Sequence, residues 1–100
     1  MSARGELAPC AAPLAILIPT FSRARHVERL LLALAADPDV IARRIPVLVA
    51  DNDSSDDTAA TVRRLMVQLP ELDLRLHVQP QNLGMIGNLR WLLDHAPPAE

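Results

Sequence analysis

Two short apolar runs and one alternating run stand out along the chain. Leu14 to Ile18 contain no polar side chain and are followed by Pro19, and Val47 to Ala50 form a second apolar run that ends at Asp51. Short, uniformly apolar runs are typical of strands covered on both faces in a parallel sheet. In Leu74 to Val78, apolar and polar residues alternate, which predicts a strand with one wet face near the edge of the sheet.

An amphipathic helical repeat follows each of these runs. Apolar residues spaced three or four apart share one face of a helix, and we expect that face to be buried. The predicted inward-facing residues are Val27, Leu30, Leu31 and Leu34, then Val62, Leu65, Met66 and Leu69, then Ile86, Leu89, Leu92 and Leu93. The first helix is predicted over 23–36 with Ser22 as its N-cap, and it stops at a turn over 37–39. The second begins after a cap at Ser55 or Asp56, and the third runs from Met85 to His95.

The order of these elements, β-α-β-α-β-α, predicts an α/β fold: an open, mostly parallel, Rossmann-like sheet with helices on both faces. Residues 1–13 are rich in alanine and proline and are expected to form a flexible N-terminal leader, with the folded domain over 14–100. In open α/β sheets, ligands bind beyond the carboxyl ends of the strands. The loops that follow Ile18, Ala50 and Val78 are therefore the candidate functional segments.

Composition narrows the possible functions. The net charge is −2, and the ten cations, all arginine, are scattered along the chain, so there is no basic stripe for nucleic acid. No apolar run reaches the roughly 18 residues that a membrane span requires. The single cysteine, Cys10, excludes an internal disulfide and fits a reducing compartment, so we expect a cytoplasmic location, including the inner face of the membrane. The three histidines lack the spacing of a metal site.

The three loops carry the candidate chemistry. The first, Pro19 to Arg23, offers a hydroxyl, a helix N-terminus and an arginine to an anionic ligand, but lacks the glycines of a dinucleotide-binding loop. In the second, Asp51 lies where a buried strand surfaces, so its carboxylate can accept a hydrogen bond from the imide of a uracil-like base. The alternative for this loop is a capped, solvated turn. In the third, Gly84 permits a tight turn and Gly87 permits close packing of the helix start.

Together, in this order, the loops resemble those of family-two glycosyltransferases of the GT-A fold. The segment 17–23 (Leu-Ile-Pro-Thr-Phe-Ser-Arg) resembles that family's first strand and Pro-Thr-x-x-Arg turn. The segment 49–58 resembles its Asp-Asn-Gly-Ser-x-Asp-x-Thr loop, with Asp53 where the family often has glycine. The segment 82–88 is similar to its Asn-x-Gly segment. The resemblance implies that the nucleotide-binding residues are Pro19, Thr20, Phe21, Arg23, Asp51, Asp53, Asn82 and Gly84.

The resemblance also implies an activity: transfer of a sugar from a nucleotide-diphosphate donor, with a UDP-sugar favoured, to a hydroxyl of a glycan or lipid-linked acceptor. In the family, the Asp-x-Asp motif that holds Mg²⁺ or Mn²⁺ and the acidic catalytic base come later in the domain. We therefore expect the metal ligands and the catalytic residues to lie beyond Glu100, and the 100-residue chain to be the donor-binding part and inactive alone. The family's strand order is 3-2-1, with the next neighbour of the first strand also supplied from beyond Glu100.

Two other functions fit parts of the pattern. One is a non-catalytic nucleotide-binding module, which would lack an acidic pair about a strand's length beyond Glu100. The other is a signalling receiver domain, because Val47 to Asp53 is an apolar strand that runs into acidic residues. Receiver domains need a lysine near the phosphorylated aspartate, and this chain has none. The sequence therefore favours the glycosyltransferase hypothesis over these two.

Overall fold

A computed structural model describes residues 14–96; the predicted leader over 1–13 lies outside them. The strands are β1 (Ile16–Thr20), β2 (Val47–Asp51) and β3 (Leu74–Val78). The helices are α1 (Ala24–Ala35), α2 (Pro38–Ala42), α3 (Thr58–Gln68) and α4 (Gly84–Asp94). The predicted order of three strands and three long helices is confirmed, and α2 is an addition to it. No helix within residues 14–96 is long and apolar enough to cross a membrane.

The sheet is parallel, with β2 between β1 and β3. This is the 3-2-1 order that the family resemblance implied. Thr20 of β1 pairs in register with Asp51 of β2, which in turn pairs with Val78 of β3. The carboxyl ends of all three strands therefore lie at one edge of the sheet, so the three candidate loops leave it side by side.

Pro19 lies inside β1, beyond the apolar run 14–18 from which the strand was predicted. The amide of Ile16 donates to the Pro46 carbonyl, and the carbonyl of Thr20 accepts from the Asn52 amide. Backbone groups of alternate residues point to the same side of a strand, so the even-numbered residues of β1 face β2 and Pro19 faces away. A proline in this position removes no hydrogen bond between β1 and β2, and the strand continues through it.

Helices cover both faces of the sheet, as predicted. On one face, Val27 and Leu31 of α1 and Val62 and Leu65 of α3 pack with the main core. On the other face, Leu92 of α4 packs against the smaller cluster of Leu48 and Ala50, with Trp91 half-buried beside them. All five residues of β2 are buried, as expected of a strand covered on both sides.

The edge strand β3 shows the predicted alternation of burial only at its start, since Leu76, His77 and Val78 are all half-buried. Leu74 is buried and Arg75 is exposed. His77 is half-buried, because its ring stacks on Trp91 with the ring centroids 3.9 Å apart. Trp91 stacks in turn on His95 at 4.2 Å, so the wet face of β3 is partly covered by an aromatic stack.

The prediction that certain helix residues face inward is wrong at several positions. Leu30 and Met66 are exposed, and the error is largest in α4, where Leu89 is exposed and Ile86 and Leu93 are 72% and 64% exposed. The buried residues of α4 are Asn88 and Leu92, four apart on the stripe that faces the sheet. Apolar spacing misplaced this face because a polar residue, Asn88, occupies a sheet-facing position.

The turn predicted over 37–39 is the start of α2. The Asp37 carboxylate accepts hydrogen bonds from the amides of Asp39, at 2.9 Å, and Val40, at 3.4 Å. Pro38 occupies the first helical position, where its missing amide hydrogen costs nothing. An aspartate cap followed by proline is a helix-start signal, and it was available in the sequence.

Candidate functional site

A cleft of about 470 Å³ opens beyond the carboxyl ends of the strands. We call this space the cleft; its lining residues are Pro19, Thr20, Phe21, Arg23, Asn52, Asn82, Gly84, Met85 and Asn88. The volume lies in the range typical of small-molecule sites. The structure thus brings together six of the eight residues predicted to bind a nucleotide.

The other two predicted residues, Asp51 and Asp53, do not line the cleft. Asp51 is 1% exposed, and its carboxylate accepts a hydrogen bond from the Ser54 hydroxyl. Asp53 is exposed with a backbone φ of 61°, in the left-handed region. Glycine is the residue most at ease there, and aspartate tolerates it better than most.

The Ser54 hydroxyl joins the first two loops. It donates to Asp51 and accepts from the Ser22 amide at 2.7 Å. Ser22 has a φ of 50° and makes no side-chain cap on α1, whose N-cap residue is Arg23. The predicted Ser22 cap is therefore wrong, because the tight turn after β1 turns the Ser22 backbone toward Ser54.

Asp56 organises the start of α3. Its carboxylate accepts hydrogen bonds from the hydroxyl of Thr58 and from the Thr58 amide, the latter at 3.0 Å. The hydrogen bond from the Thr58 hydroxyl is the main reason why the pKa of Asp56 lies below its ordinary value of 3.8. The amides of Thr58 and of Ala24, at the start of α1, lower it further. The N-cap residue of α3 is Asp57, which makes no side-chain cap hydrogen bond, so the cap is not at the predicted Ser55 or Asp56; the Asp56 carboxylate instead bonds Thr58, the first residue of the helix.

Asn52 is a site residue that the sequence did not single out. It is 4% exposed, and its side chain reaches across to the loop after β3. The Asn52 amide group donates to the Asn82 side-chain oxygen and to the Gly84 carbonyl, both at 3.1 Å. Its carbonyl oxygen accepts from the Leu83 amide at 2.8 Å. Asn52 therefore fixes the wall of the cleft that carries Asn82 and Gly84.

Asn88 is the second missed residue and is also buried, at 2% exposure. Its Nδ2 donates to the Ala50 carbonyl at 2.9 Å, and its Oδ1 accepts from Gln79 Nε2 at 3.1 Å. The Gln79 Oε1 lies 3.2 Å from His77 Nε2. We call these side chains, Asn88, Gln79 and His77, the hydrogen-bond row. Since the Ala50 carbonyl at its end can only accept, the donor and acceptor roles along the row are fixed. The row anchors α4 over the end of β2, and an asparagine at the start of a helix is the only signal that could have indicated it.

Three groups in the cleft retain capacity to bind a ligand. Within residues 14–96, the Thr20 hydroxyl is the buried side-chain group that has no hydrogen-bond partner. The Oδ1 of Asn82 already accepts from the Gly84 amide and from Asn52, which leaves its Nδ2 hydrogens as donors. Arg23 is exposed at the mouth of the cleft and carries a permanent positive charge. The cleft therefore offers mainly donors, which suits a ligand rich in acceptor oxygens.

Asp51 and Asp53 do not form a metal site. The first is buried against Ser54 and the second is exposed on a left-handed turn. No cluster of three or more histidine, cysteine, aspartate or glutamate side chains that could hold a metal ion occurs in the described part of the chain. The described residues therefore do not fit a divalent metal.

Two solved structures show where this architecture occurs. The mannosyltransferase PcManGT from Pyrobaculum calidifontis, solved in complex with GDP-Man and Mn²⁺, superimposes with a TM-score of 0.67 and 24% identity, over 92% of this chain and 27% of that chain. S. aureus TarS superimposes with a TM-score of 0.68 and 24% identity, over 85% of this chain and 15% of that chain. At this identity the likeness shows the fold, and the chain spans about a quarter or less of each protein.

Sequence comparison identifies the family. A search of curated proteins found no match to the chain. The model of the family described as "Glycosyl transferase family 2" matches residues 15–97, which include all three loops, the four helices and every strand of the sheet. The chain therefore belongs to glycosyl transferase family 2.

Proposed function

We propose that the protein is a glycosyltransferase and that the cleft binds the nucleotide of a nucleotide-diphosphate sugar. The observation that carries the proposal is the convergence of Thr20, Arg23 and Asn82 on one cleft at the carboxyl ends of parallel strands. That edge is where open α/β sheets bind ligands. The family match to residues 15–97 supplies the reaction class.

The groups left available in the cleft support an acceptor-rich ligand. The Thr20 hydroxyl is buried without a partner and can donate to a ribose or base oxygen. The Asn82 Nδ2 can donate to ribose or phosphate oxygens. Arg23 can pair with the diphosphate, because a guanidinium forms charge-assisted hydrogen bonds to phosphate. Phe21, which is 46% exposed, offers an apolar surface beside these groups.

In the proposed reaction, an acceptor hydroxyl oxygen forms a bond to the anomeric carbon of the sugar while the bond from that carbon to the diphosphate breaks. The diphosphate leaves with the electron pair, and a base takes the hydroxyl proton. The residues described above bind and orient the nucleotide. We further propose a Mg²⁺ or Mn²⁺ cofactor, held by ligands outside residues 14–96, which would supply positive charge to the leaving diphosphate. PcManGT was solved with Mn²⁺, which is consistent with this.

We propose a UDP-sugar as the donor, a glycan or lipid-linked acceptor and a cytoplasmic location. The preference for UDP depends on Asp51, whose carboxylate could accept the imide hydrogen of uracil. Asp51 is 1% exposed and one of its carboxylate oxygens already accepts from the Ser54 hydroxyl, so a uracil imide would have to reach the remaining acceptor positions of the carboxylate. The complex of PcManGT with GDP-Man makes GDP the competing nucleotide to test.

Titration calorimetry with UDP, GDP and ADP tests the proposal. We expect UDP to bind most tightly, and Asp51→Ala to weaken UDP by about 10–100-fold, since a charge-assisted hydrogen bond contributes about 1.5–3 kcal/mol. Gln81→Ala, an exposed change in a neighbouring loop, is the control and should leave the affinity unchanged. Absence of binding by every nucleotide would reject the proposed function. Equal UDP affinity in the Asp51 variant would remove Asp51 from base recognition.

A further inference from the structure

Asn52 uses its whole side chain on the loop that follows β3. Both hydrogens of its amide group are donated, to Asn82 Oδ1 and to the Gly84 carbonyl, and its oxygen accepts the Leu83 amide. The residues that these three hydrogen bonds join are 30, 32 and 31 positions apart along the chain. At 4% exposure, these bonds are largely shielded from water.

The contacts of Asn52 also determine the orientation of the Asn82 side-chain amide group. The Asn82 Oδ1 lies 2.7 Å from the Gly84 amide nitrogen and 3.1 Å from Asn52 Nδ2, so it faces two donors. An asparagine whose oxygen is held by two donors has its amide group on the other side. The bonded network therefore leaves the two Nδ2 hydrogens of Asn82, and no acceptor, for a ligand in the cleft.

Gly84 depends on the same arrangement. Its φ of 77° lies in the left-handed region, and both its amide and its carbonyl are bonded, to Asn82 and to Asn52 respectively. The turn into α4 is thus held from both sides of Gly84. Without the donors of Asn52, only the single bond from Gly84 to Asn82 would keep the Asn82 oxygen facing inward.

We propose that Asn52 is a positioning residue for the donor nucleotide, which it does not itself touch. It fixes the Gly84 turn and makes Asn82 present hydrogen-bond donors to acceptor oxygens of the ligand. The effect on nucleotide affinity rests on the function proposed above. The effect on the loop does not, and it can be measured on the protein without any ligand.

Three substitutions of an amide by a carboxylate separate the roles. Asn52→Asp keeps the acceptor for Leu83 but removes both donors. Asn82→Asp keeps the oxygen that Asn52 and Gly84 hold but replaces the donors that face the ligand. Gln81→Glu makes the same chemical change at an exposed position of the loop and is the matched control. Amide hydrogen exchange reports on the loop, and titration with UDP and GDP reports on the cleft.

In Asn52→Asp we expect the Gly84 amide to exchange about tenfold faster, since a lost hydrogen bond of about 1.4 kcal/mol corresponds to a factor of ten, while Leu83 and the β2 amides stay protected. In Asn82→Asp the Gly84 amide should remain protected. Nucleotide affinity should fall about tenfold in both variants and remain unchanged in Gln81→Glu. Burial and the two facing carbonyl oxygens should raise the pKa of the carboxyl group introduced in Asn52→Asp, and once the pH is low enough to protonate that group it can donate one hydrogen bond again, so protection of Gly84 should partly return. A general loss of packing would not be reversed in this way.

The result that overturns the proposal is wild-type protection of Gly84 and wild-type nucleotide affinity in Asn52→Asp. Faster exchange with unchanged affinity would also overturn it, because the loop would then be irrelevant to binding. If Asn52→Asp does not fold, the side-chain amide protons of Asn52 in the unaltered protein decide: rapid exchange of both would contradict the donor roles assigned here. If the unaltered protein binds no nucleotide, the proposed function fails, whereas the exchange data still test the role of Asn52 in the loop.

Discussion

Replacing Asn88 with alanine should destabilise the fold more than most single changes at its surface. Asn88 is 2% exposed and lies between the Ala50 carbonyl and the Gln79 amide group. In Asn88→Ala, the Gln79 Nε2 loses its acceptor and the Ala50 carbonyl loses its side-chain donor. A buried polar group left without a partner costs about 1–3 kcal/mol.

The size of the effect follows from the position of the residue. Two groups lose a partner, but Asn88 lines the cleft, so water can reach the vacated space and replace part of what is lost. We therefore expect a destabilisation of about 2–4 kcal/mol, made up of about 1–3 kcal/mol for the orphaned Gln79 amide group and about 1 kcal/mol for the second bond of the Ala50 carbonyl, which still faces β1 in the ladder. A domain of this size has a total stability of roughly 4–12 kcal/mol, so the change is a large part of it.

Urea denaturation followed by fluorescence measures this loss. Trp91 is the only tryptophan, there is no tyrosine, and Trp91 is stacked between His77 and His95, so its emission reports on the attachment of α4. With a slope of about 1 kcal/mol per molar urea, the midpoint should fall by roughly 2–4 M. Gln81→Ala, at an exposed position, should stay within about 0.5 kcal/mol of the unaltered protein.

A double-mutant cycle separates the hydrogen-bond row from simple truncation. Gln79→Leu alone should also be destabilising, because it leaves the Asn88 oxygen without a donor. Asn88→Ala combined with Gln79→Leu should cost at least about 1 kcal/mol less than the two changes added together, since neither partner is then orphaned. Strict additivity, or a cost of Asn88→Ala below about 0.5 kcal/mol, would refute the buried row as described.

Three further outcomes are expected. Gly87→Ala should destabilise by about 1–3 kcal/mol, because the new Cβ would lie 2.9 Å from Leu83 Cβ, and unchanged thermal stability would contradict this packing. The lowered pKa of Asp56 means that its contribution to stability is present above pH 3.8 and is lost as the pH falls through the folded-state pKa. Asp56→Asn should therefore flatten the acid limb of a stability-pH curve, and an identical limb would count against the Thr58 bonds. Finally, the outer edge of β1 should promote self-association of the 100-residue chain at micromolar concentration. Sedimentation of a monomer whose Leu14–Ile18 amides exchange rapidly would contradict the assigned strand arrangement.

The alternation of short strands with amphipathic repeats determined the fold. Strand β2 was predicted over 47–50 and ends one residue later, and β3 has the predicted bounds. This agreement has a local cause: a strand covered on both faces must be apolar at every position, and an edge strand need not be. The loops after the strands were identified for a similar reason, because polar residues that directly follow a buried strand emerge at one edge of the sheet.

Tertiary structure decided which residues of those loops meet. Asn52 and Asn88 are ordinary polar residues in the sequence, and their partners lie 30 or more positions away, apart from the nearer Gln79. Asp51 was singled out by its local setting, yet its side chain is buried, bonded to the Ser54 hydroxyl, and does not line the cleft. The face that α4 turns to the sheet likewise involves a long-range contact: Asn88 is buried and bonded to the Ala50 carbonyl, whereas Ile86 and Leu93 are exposed. The spacing of apolar residues indicates which face of a helix can be buried. It does not show that a backbone carbonyl distant in the sequence will accept a hydrogen bond from a polar side chain on that face.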